Sequence, residues 1–295
     1  MAKYNGNLSI GIYEKALPAD MGIEQKLLCA KEAGYCFMEL SIDESDERIA
    51  RLKWDRQKRY GLREISEKTE VPFITMCISG NRRYPIGSPD PAVSQKGLEM
   101  ILDSICFASD MGIRILQIAA YDVNLGQEST IQSRQAFGDG LEKCVRLASS
   151  LGVMLALENV DCQFGESLEN LMFYLEKINS PWLRLYPDFG NLSAMGQDYK
   201  IQLEKFAGYI AAIHVKDTKS GVVRNTPFGE GTVDFVAAFK VLRKVNFYGP
   251  FLLEMWAGKS INNFEAIKNA RLWVLDKLSK ASYLNEEGLV KAALQ

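Results

Sequence analysis

Eight times along this chain a short β-rich run gives way to a polar loop and then to a longer segment of helical periodicity. The runs are "LSIGIYE" (8–14), "CFMELSI" (36–42), "FITMCIS" (73–79), "RILQIAA" (114–120), "VMLALEN" (153–159), "LRLYPD" (183–188), "YIAAIHV" (209–215) and "PFLLEMW" (250–256). Two of the intervening segments, "SQKGLEMILDSICFASDMG" (94–112) and "QAFGDGLEKCVRLASSLG" (135–152), illustrate the pattern. In the first, Leu98, Ile101, Leu102, Ile105 and Ala108 make an apolar stripe at 3.6-residue spacing. Both stop at a glycine, Gly112 or Gly152, a residue that ends helices by taking the left-handed conformation without steric cost. Strands alternating with helices specify a parallel sheet covered by helices. An open, doubly wound sheet would satisfy that alternation, but the count of eight and the even spacing favour a closed (β/α)8 TIM barrel. No Pro/Gly/Ser-rich linker divides the chain, so one domain spanning 1–295 is expected. The last segment, "YLNEEGLVKAALQ", falls outside the eight units and is expected to add a C-terminal helix for packing or dimerisation.

Composition narrows the function classes. The 295 residues are 47% hydrophobic, ample for one barrel core. A formal net charge of −2 provides no field to recruit nucleic acid or an anionic membrane, so an anionic ligand must meet a local basic cluster. The start, "MAKYNGNLSIGIYEK", lacks the apolar stretch of a secretory signal, and no run approaches the roughly 18 apolar residues of a membrane helix. The six cysteines form no C-x-x-C pair, and several sit in apolar segments, which suits free thiols in a reducing cytoplasm.

Barrel active sites lie at the C-terminal ends of the strands. The last four runs each carry a potential metal ligand there: Glu158, Asp188, His214 and Glu254. Alternation along a strand puts Met154, Ala156 and Glu158 on one face, Ala212, His214 and Lys216 on another, and Leu252, Glu254 and Trp256 on a third. Neighbouring strands are roughly 5 Å apart, so the four side chains can converge on one ion. A single strand-end Glu is usually an ordinary loop charge, and a lone His in "AAIHV" is usually a core residue. Four such residues at one rim are harder to explain as coincidence. Three carboxylates and one imidazole suit a divalent ion such as Mn, Mg, Zn or Co, with coordination positions left for substrate.

Several blocks extend the pattern across nearly the whole chain: "GIYEKALP", "SGNRRYPIGS", "YPDFGNLSA", "HVKDTKSG", "PFGEGTVDF" and "LLEMW". With them the chain resembles the xylose-isomerase-like barrels of sugar isomerases and epimerases. Within that superfamily it is most similar to the L-ribulose-5-phosphate (L-xylulose-5-phosphate) 3-epimerases of bacterial L-ascorbate and pentose use. The resemblance implies that Glu158, Asp188, His214 and Glu254 bind the metal, and that Glu158 and Glu254 double as acid and base. It also implies a sugar-phosphate substrate and a homodimer. Many superfamily members carry a substrate-contacting histidine three residues after the strand-six aspartate, where this chain has Asn191. His214 is the only histidine, which argues against the multi-zinc endonuclease branch and favours phosphosugars over free sugars.

For 3-epimerisation the metal would polarise the ketone, while one glutamate removes the C3 proton and the other returns it to the opposite face. The phosphate needs cationic and N–H partners. The loop after strand three offers Asn81, Arg82 and Arg83, with Arg83 preferred; the loop after strand seven offers Lys216, Lys219, Arg224 and Asn225. Lys216 shares a face with His214, so it reaches either the phosphate or a ligand carboxylate. Trp256 is placed to wall the pocket, Glu39 to point inward and orient a polar group or bind a basic one, and Tyr13, Glu14 and Gln117 to touch sugar hydroxyls. An aldose–ketose or hexulose-phosphate isomerase on the same metal site, and a non-catalytic sugar-phosphate binding protein, are the competing functions.

Overall fold

A computed structural model of the chain describes residues 8–258 and 262–284. Eight strands run in chain order: β1 (Ile10–Tyr13), β2 (Phe37–Ile42), β3 (Phe73–Ile78), β4 (Ile115–Ala119), β5 (Met154–Glu158), β6 (Leu183–Leu185), β7 (Ile213–Val215) and β8 (Phe251–Leu253). Each falls inside one of the eight expected runs. They pair in parallel in the order β6-β5-β4-β3-β2-β1-β8-β7. Two parallel bridges, Leu185 to Ile210 and Asp188 to His214, join the two ends and close the cylinder. The expected C-terminal helix over 283–295 lies, apart from Tyr283 and Leu284, outside the described residues.

Ten α-helices are described around the strands: α1 (Ile23–Glu32), α2 (Asp46–Ala50), α3 (Arg56–Thr69), α4 (Pro91–Met111), α5 (Ile131–Leu151), α6 (Leu168–Ile178), α7 (Phe189–Ala194), α8 (Tyr199–Lys205), α9 (Phe235–Lys244) and α10 (Asn263–Lys280). The main core fills the space between strands and helices. There Ile101, Ile105 and Ala108 of the α4 stripe are fully buried, and a buried isoleucine contributes about 1.5–3 kcal/mol. Both long helices start upstream of the periodic segments read from sequence, because caps start them. Asp90 accepts the Ala92 N–H at 2.9 Å ahead of Pro91, and Thr130 forms a capping box with Ser133. Both end as expected, with Gly112 and Gly152 left-handed at φ of 73° and 70°.

Inside the cylinder the filling is thin. Phe37, Tyr13, Cys77 and Leu252 form one small cluster, and Ala156, Tyr186 and Ala212 another. Gly11 faces the first: a Cβ there would lie 2.3 Å from the Phe37 ring, so β1 must be bare at this point for the phenyl group to fit. The rest of the interior is polar, and it forms the floor of a site.

The last three strands are shorter than the runs expected from sequence. β6 stops at Leu185 because Pro187 has no N–H to give a ladder. The chain turns instead, and Asp188 becomes the N-cap of α7, its Oδ1 accepting the Asn191 N–H at 2.8 Å. Asp188 still reaches the rim, since its backbone bridges to His214 and the His214 N–H donates to Pro187 O at 2.9 Å. β8 ends at Leu253, although the Glu254 N–H continues the pairing by donating to Val215 O at 3.0 Å.

Candidate active site

Glu158 ends β5, Asp188 opens α7, His214 is the middle residue of β7 and Glu254 follows β8. Their donor atoms all lie within 4.8 Å of one another. Two ligands of one cation, each 2.0–2.2 Å from it, are at most about 4.4 Å apart, so only a small contraction separates this group from a coordination shell. Asp188 and His214 are completely buried, and the side chains of Glu158 and Glu254 are 7% and 10% exposed.

The imidazole is oriented by its two neighbours. Nδ1 faces the carboxylates, 2.6 Å from Glu158, 3.8 Å from Glu254 and 3.9 Å from Asp188. Nε2 lies 2.9 Å from Glu39 Oε1, and the other Glu39 oxygen accepts the Tyr186 hydroxyl at 3.0 Å. With the proton on Nε2, Glu39 accepts it and the Nδ1 lone pair points into the carboxylate group. Gln117 serves Glu158 similarly: its amide donates to Oε2, and its oxygen accepts the Ile78 N–H at 3.1 Å.

Lys216 is the counter-charge. Its Nζ is 2.7 Å from both Asp188 Oδ2 and Glu254 Oε2 and donates to Asn191 Oδ1 at 2.9 Å. Four buried carboxylates, Glu39 included, therefore face one ammonium and one imidazole. Burial opposes a charged imidazole, but Glu39 and Glu158 outweigh it and hold the pKa of His214 well above its ordinary value. Burial and the neighbouring carboxylates push Asp188 up; burial would raise Glu254 too, but Lys216 outweighs it and draws that carboxyl down. Among the described residues the Asp188 Oδ2 and Glu254 Oε2 atoms are buried without a hydrogen bond of ordinary geometry, their contact with Lys216 being ionic. Net negative charge, two such oxygens and an imidazole already aimed at them fit a divalent cation, which would take the place of the Nδ1 proton and offset the cost of burying these groups.

A small, polar-lined cleft opens above this layer. Of the residues expected at the substrate, Glu158, Asn191, Lys216, Arg224, Glu254 and Trp256 line it. Trp256 meets Tyr13 edge to face at 6.3 Å, and Tyr13 also lines the cleft while bonding Ser41. Other expected residues are elsewhere. Arg83 pairs with Asp46 at 2.7 Å on the surface, and Lys219 is exposed in a turn closed on Val222. Asn225 lines a neighbouring apolar cleft, with Phe228 and Trp273. Glu14 points away from the barrel axis into a buried ion cluster with Lys26, Arg48 and Arg51.

The cleft also contains Arg82, a phosphate candidate of the loop after strand three, and Lys15, Tyr121 and Asp161, for which the sequence reading offers no site role. Lys15 pairs with Asp43 at 2.8 Å. Arg82 pairs with Glu44 and lies over the Tyr121 ring, 4.9 Å from its centroid. The Tyr121 hydroxyl donates to Asp161, whose other oxygen is 4.0 Å from Arg224. Lys15, Tyr121 and Asp161 sit two or three residues past a strand end, and that position is the signal available in the sequence. Arg82 and Arg83 are adjacent in one loop, and only folding decides that Arg82 turns inward.

Residues 28–277 match the family model described as xylose isomerase-like TIM barrel, and the chain belongs to that family. It is 44% identical over 286 residues to the L-ribulose-5-phosphate 3-epimerase UlaE of Escherichia coli, covering 97% of this chain and 98% of that one. The enzyme of the same name from Salmonella heidelberg is 44% identical over the same length and coverage. Among solved structures, an L-ribulose 3-epimerase superposes with a TM-score of 0.78 at 21% identity, covering 97% of this chain and 99% of that one. The 3-keto-D-glucoside 4-epimerase YcjR of E. coli superposes with a TM-score of 0.74 at 19% identity, covering 90% and 98%.

Proposed function

We propose that this xylose isomerase-like barrel epimerises a pentulose 5-phosphate at C3, interconverting L-ribulose 5-phosphate and L-xylulose 5-phosphate. The supporting observation is the convergence of Glu158, Asp188, His214 and Glu254 beneath an open cleft, in a chain 44% identical end to end to a 3-epimerase of that substrate. Those four residues hold the divalent metal, for which Mn, Mg, Zn and Co all suit the donor set. When bound, the metal supplies Lewis-acid polarisation of the C2 carbonyl, which acidifies the C3 proton.

The protein's own groups do the remaining work. Glu158 and Glu254 come from opposite sides of the ligand group, β5 and β8, so one removes the C3 proton and the other returns a proton to the opposite face. The intermediate is the cis-enediolate of the sugar. Gln117 holds the free oxygen of Glu158, and Lys216 steadies Glu254 and Asp188. We therefore assign Lys216 to the carboxylates. Arg224 takes the phosphate, joined by Arg82 and Lys15 across the same cleft, and Trp256 with Tyr13 forms a wall for the sugar. A cytoplasmic location is supported by six free thiols, and a homodimer comes from the family resemblance.

Proton NMR in D₂O tests the reading. Incubation with L-ribulose 5-phosphate is expected to yield L-xylulose 5-phosphate with deuterium at C3, and chelation to abolish exchange. Exchange confined to C1 or C2 would identify an aldose–ketose isomerase, and turnover unaffected by chelation would remove the metal from the mechanism. Glu158→Gln and Glu254→Gln are each expected to reduce kcat by about 10²–10⁴.

A further inference from the structure

The segment after β7 contains a carboxylate with a structural task that the proposed chemistry does not use. Asp217 is 2% exposed and lies between Lys216, which turns toward the metal ligands, and Thr218. Its Oδ1 accepts the Thr218 N–H at 2.9 Å and the Val233 N–H at 3.5 Å. Its Oδ2 accepts the Gly229 N–H at 2.8 Å and the Gly231 N–H at 3.0 Å. One side chain thus ties the first residue of the excursion to three residues at its far end. Beside it the Thr232 N–H donates to Thr218 O at 2.8 Å, and the Thr218 hydroxyl donates to Gly190 O at 2.8 Å, attaching the base to α7.

The fit leaves no room for a side chain. A Cβ on Gly231 would lie 1.9 Å from Asp217 Oδ1 and 2.4 Å from Thr218 O. Gly229 has a φ of 90°, which lets its N–H face the carboxylate. Between the two tied ends, residues 219–228 leave the barrel and return. The loop makes a turn at Lys219–Val222, then sends Val223 and Arg224 into the substrate cleft. Among the described residues Arg224 has no buried ionic anchor: its side chain is 39% exposed and its ionic partner there, Asp161, is 4.0 Å away. Its position over the cleft is therefore inherited from the loop, and the loop's position from its base.

We propose that Asp217 is a positioning residue that staples the β7 loop shut and so delivers Arg224 to the phosphate end of the substrate. The loop-staple role stands on the geometry alone; the phosphate role rests on the function proposed above. Asparagine at 217 keeps the shape but offers one acceptor oxygen, turning an amide N–H₂ toward N–H donors on the other side. Gly231→Ala pushes on the same staple without changing charge.

Two measurements separate the claims. Limited trypsinolysis of the full chain reads the loop directly: Asp217→Asn and Gly231→Ala are each expected to speed cleavage after Lys219 or Arg224 by about tenfold or more, with the rates at other sites unchanged. Cleavage at the wild-type rate in both variants, or a general loss of protection across the chain, would overturn the staple. Steady-state kinetics reads the consequence. Asp217→Asn is expected to raise KM for L-ribulose 5-phosphate about tenfold with kcat changed less than about threefold, and to leave kcat/KM for unphosphorylated L-ribulose unaltered. The Asp217→Asn/Arg224→Ala double variant should be no worse than Arg224→Ala alone. Equal losses on both sugars, or additive losses in the double variant, would refute action through Arg224. Wild-type enzyme inactive on every pentulose phosphate would instead sink the proposed function, leaving the proteolysis result to stand or fall separately.

Discussion

Glu39→Gln is expected to weaken divalent-metal binding about 10- to 100-fold while leaving the fold intact. This buried carboxylate makes two bonds, 2.9 Å to His214 Nε2 and 3.0 Å to the Tyr186 hydroxyl. To act as a ligand, His214 must present an unprotonated Nδ1 to Glu158, Asp188 and Glu254, so its proton must be on Nε2. Glu39 accepts that proton's hydrogen bond, and its charge makes Nδ1 more basic. Glutamine keeps the volume and supplies one acceptor for Nε2–H. Its amide then faces Tyr186, whose hydroxyl has to turn from donor to acceptor. Ring orientation survives and the charge disappears. The expected weakening corresponds to about 1.4–2.7 kcal/mol of binding free energy. Competition with a chromophoric chelator for Mn²⁺ or Zn²⁺ measures it, with circular dichroism as the check on folding. Tyr186→Phe, which removes only the bond to the remote oxygen, should cost less than about tenfold. An affinity for Glu39→Gln within about twofold of wild type would refute the claim that Glu39 sets up His214 as a ligand.

Further outcomes follow from the same structure. Lys216→Met removes the ammonium between Asp188 and Glu254, so the metal-free protein should lose about 3–5 kcal/mol; differential scanning calorimetry should find the lost Tm largely restored by added Mn²⁺ and lost again with chelator. Gly11→Ala places a methyl group against the Phe37 ring and should destabilise by about 1–3 kcal/mol in urea unfolding, with Phe37→Leu partly rescuing it. Burial would raise the pKa of Asp43, but hydrogen bonds from Lys15 and Ser45 prevail and lower it to about 2 from 3.8. A folded-state pKa below the unfolded value means the stabilisation is complete above pH 3.8 and lost as pH falls toward 2. Tm should therefore drop less over that interval in Asp43→Asn than in the wild type.

Much of the fold was legible because it depends on local periodicity. A parallel strand buried on both faces reads as a short apolar run, and an amphipathic helix as a 3.6-residue stripe. Eight repeats of that pair leave few architectures. Alternation along a strand likewise placed Glu158 and His214 on the inner face, because side chains must alternate whatever the neighbours do. Asp188 ends a strand-like run in the sequence but caps a helix in the folded chain, since Pro187 removes the ladder donor; it reaches the same rim by a different backbone route.

The loops were another matter. Arg82 and Arg83 are adjacent and chemically identical, yet one stacks on Tyr121 inside the cleft and the other pairs with Asp46 at the surface. Lys216 had two possible partners in the sequence, and the folded chain commits it to Asp188 and Glu254. Asp217 carried no signal at all, because its importance lies in backbone N–H groups 12–16 residues away. The sequence alone determined the repeat, the face of each strand and the chemical type of the ligand group, all of which follow from interactions between near neighbours. Which cations enter the cleft, which carboxylate orients the imidazole and what holds the β7 loop were decided only by tertiary structure. Those outcomes depend on side chains from separate strands meeting at the barrel's end, at distances that no local pattern encodes.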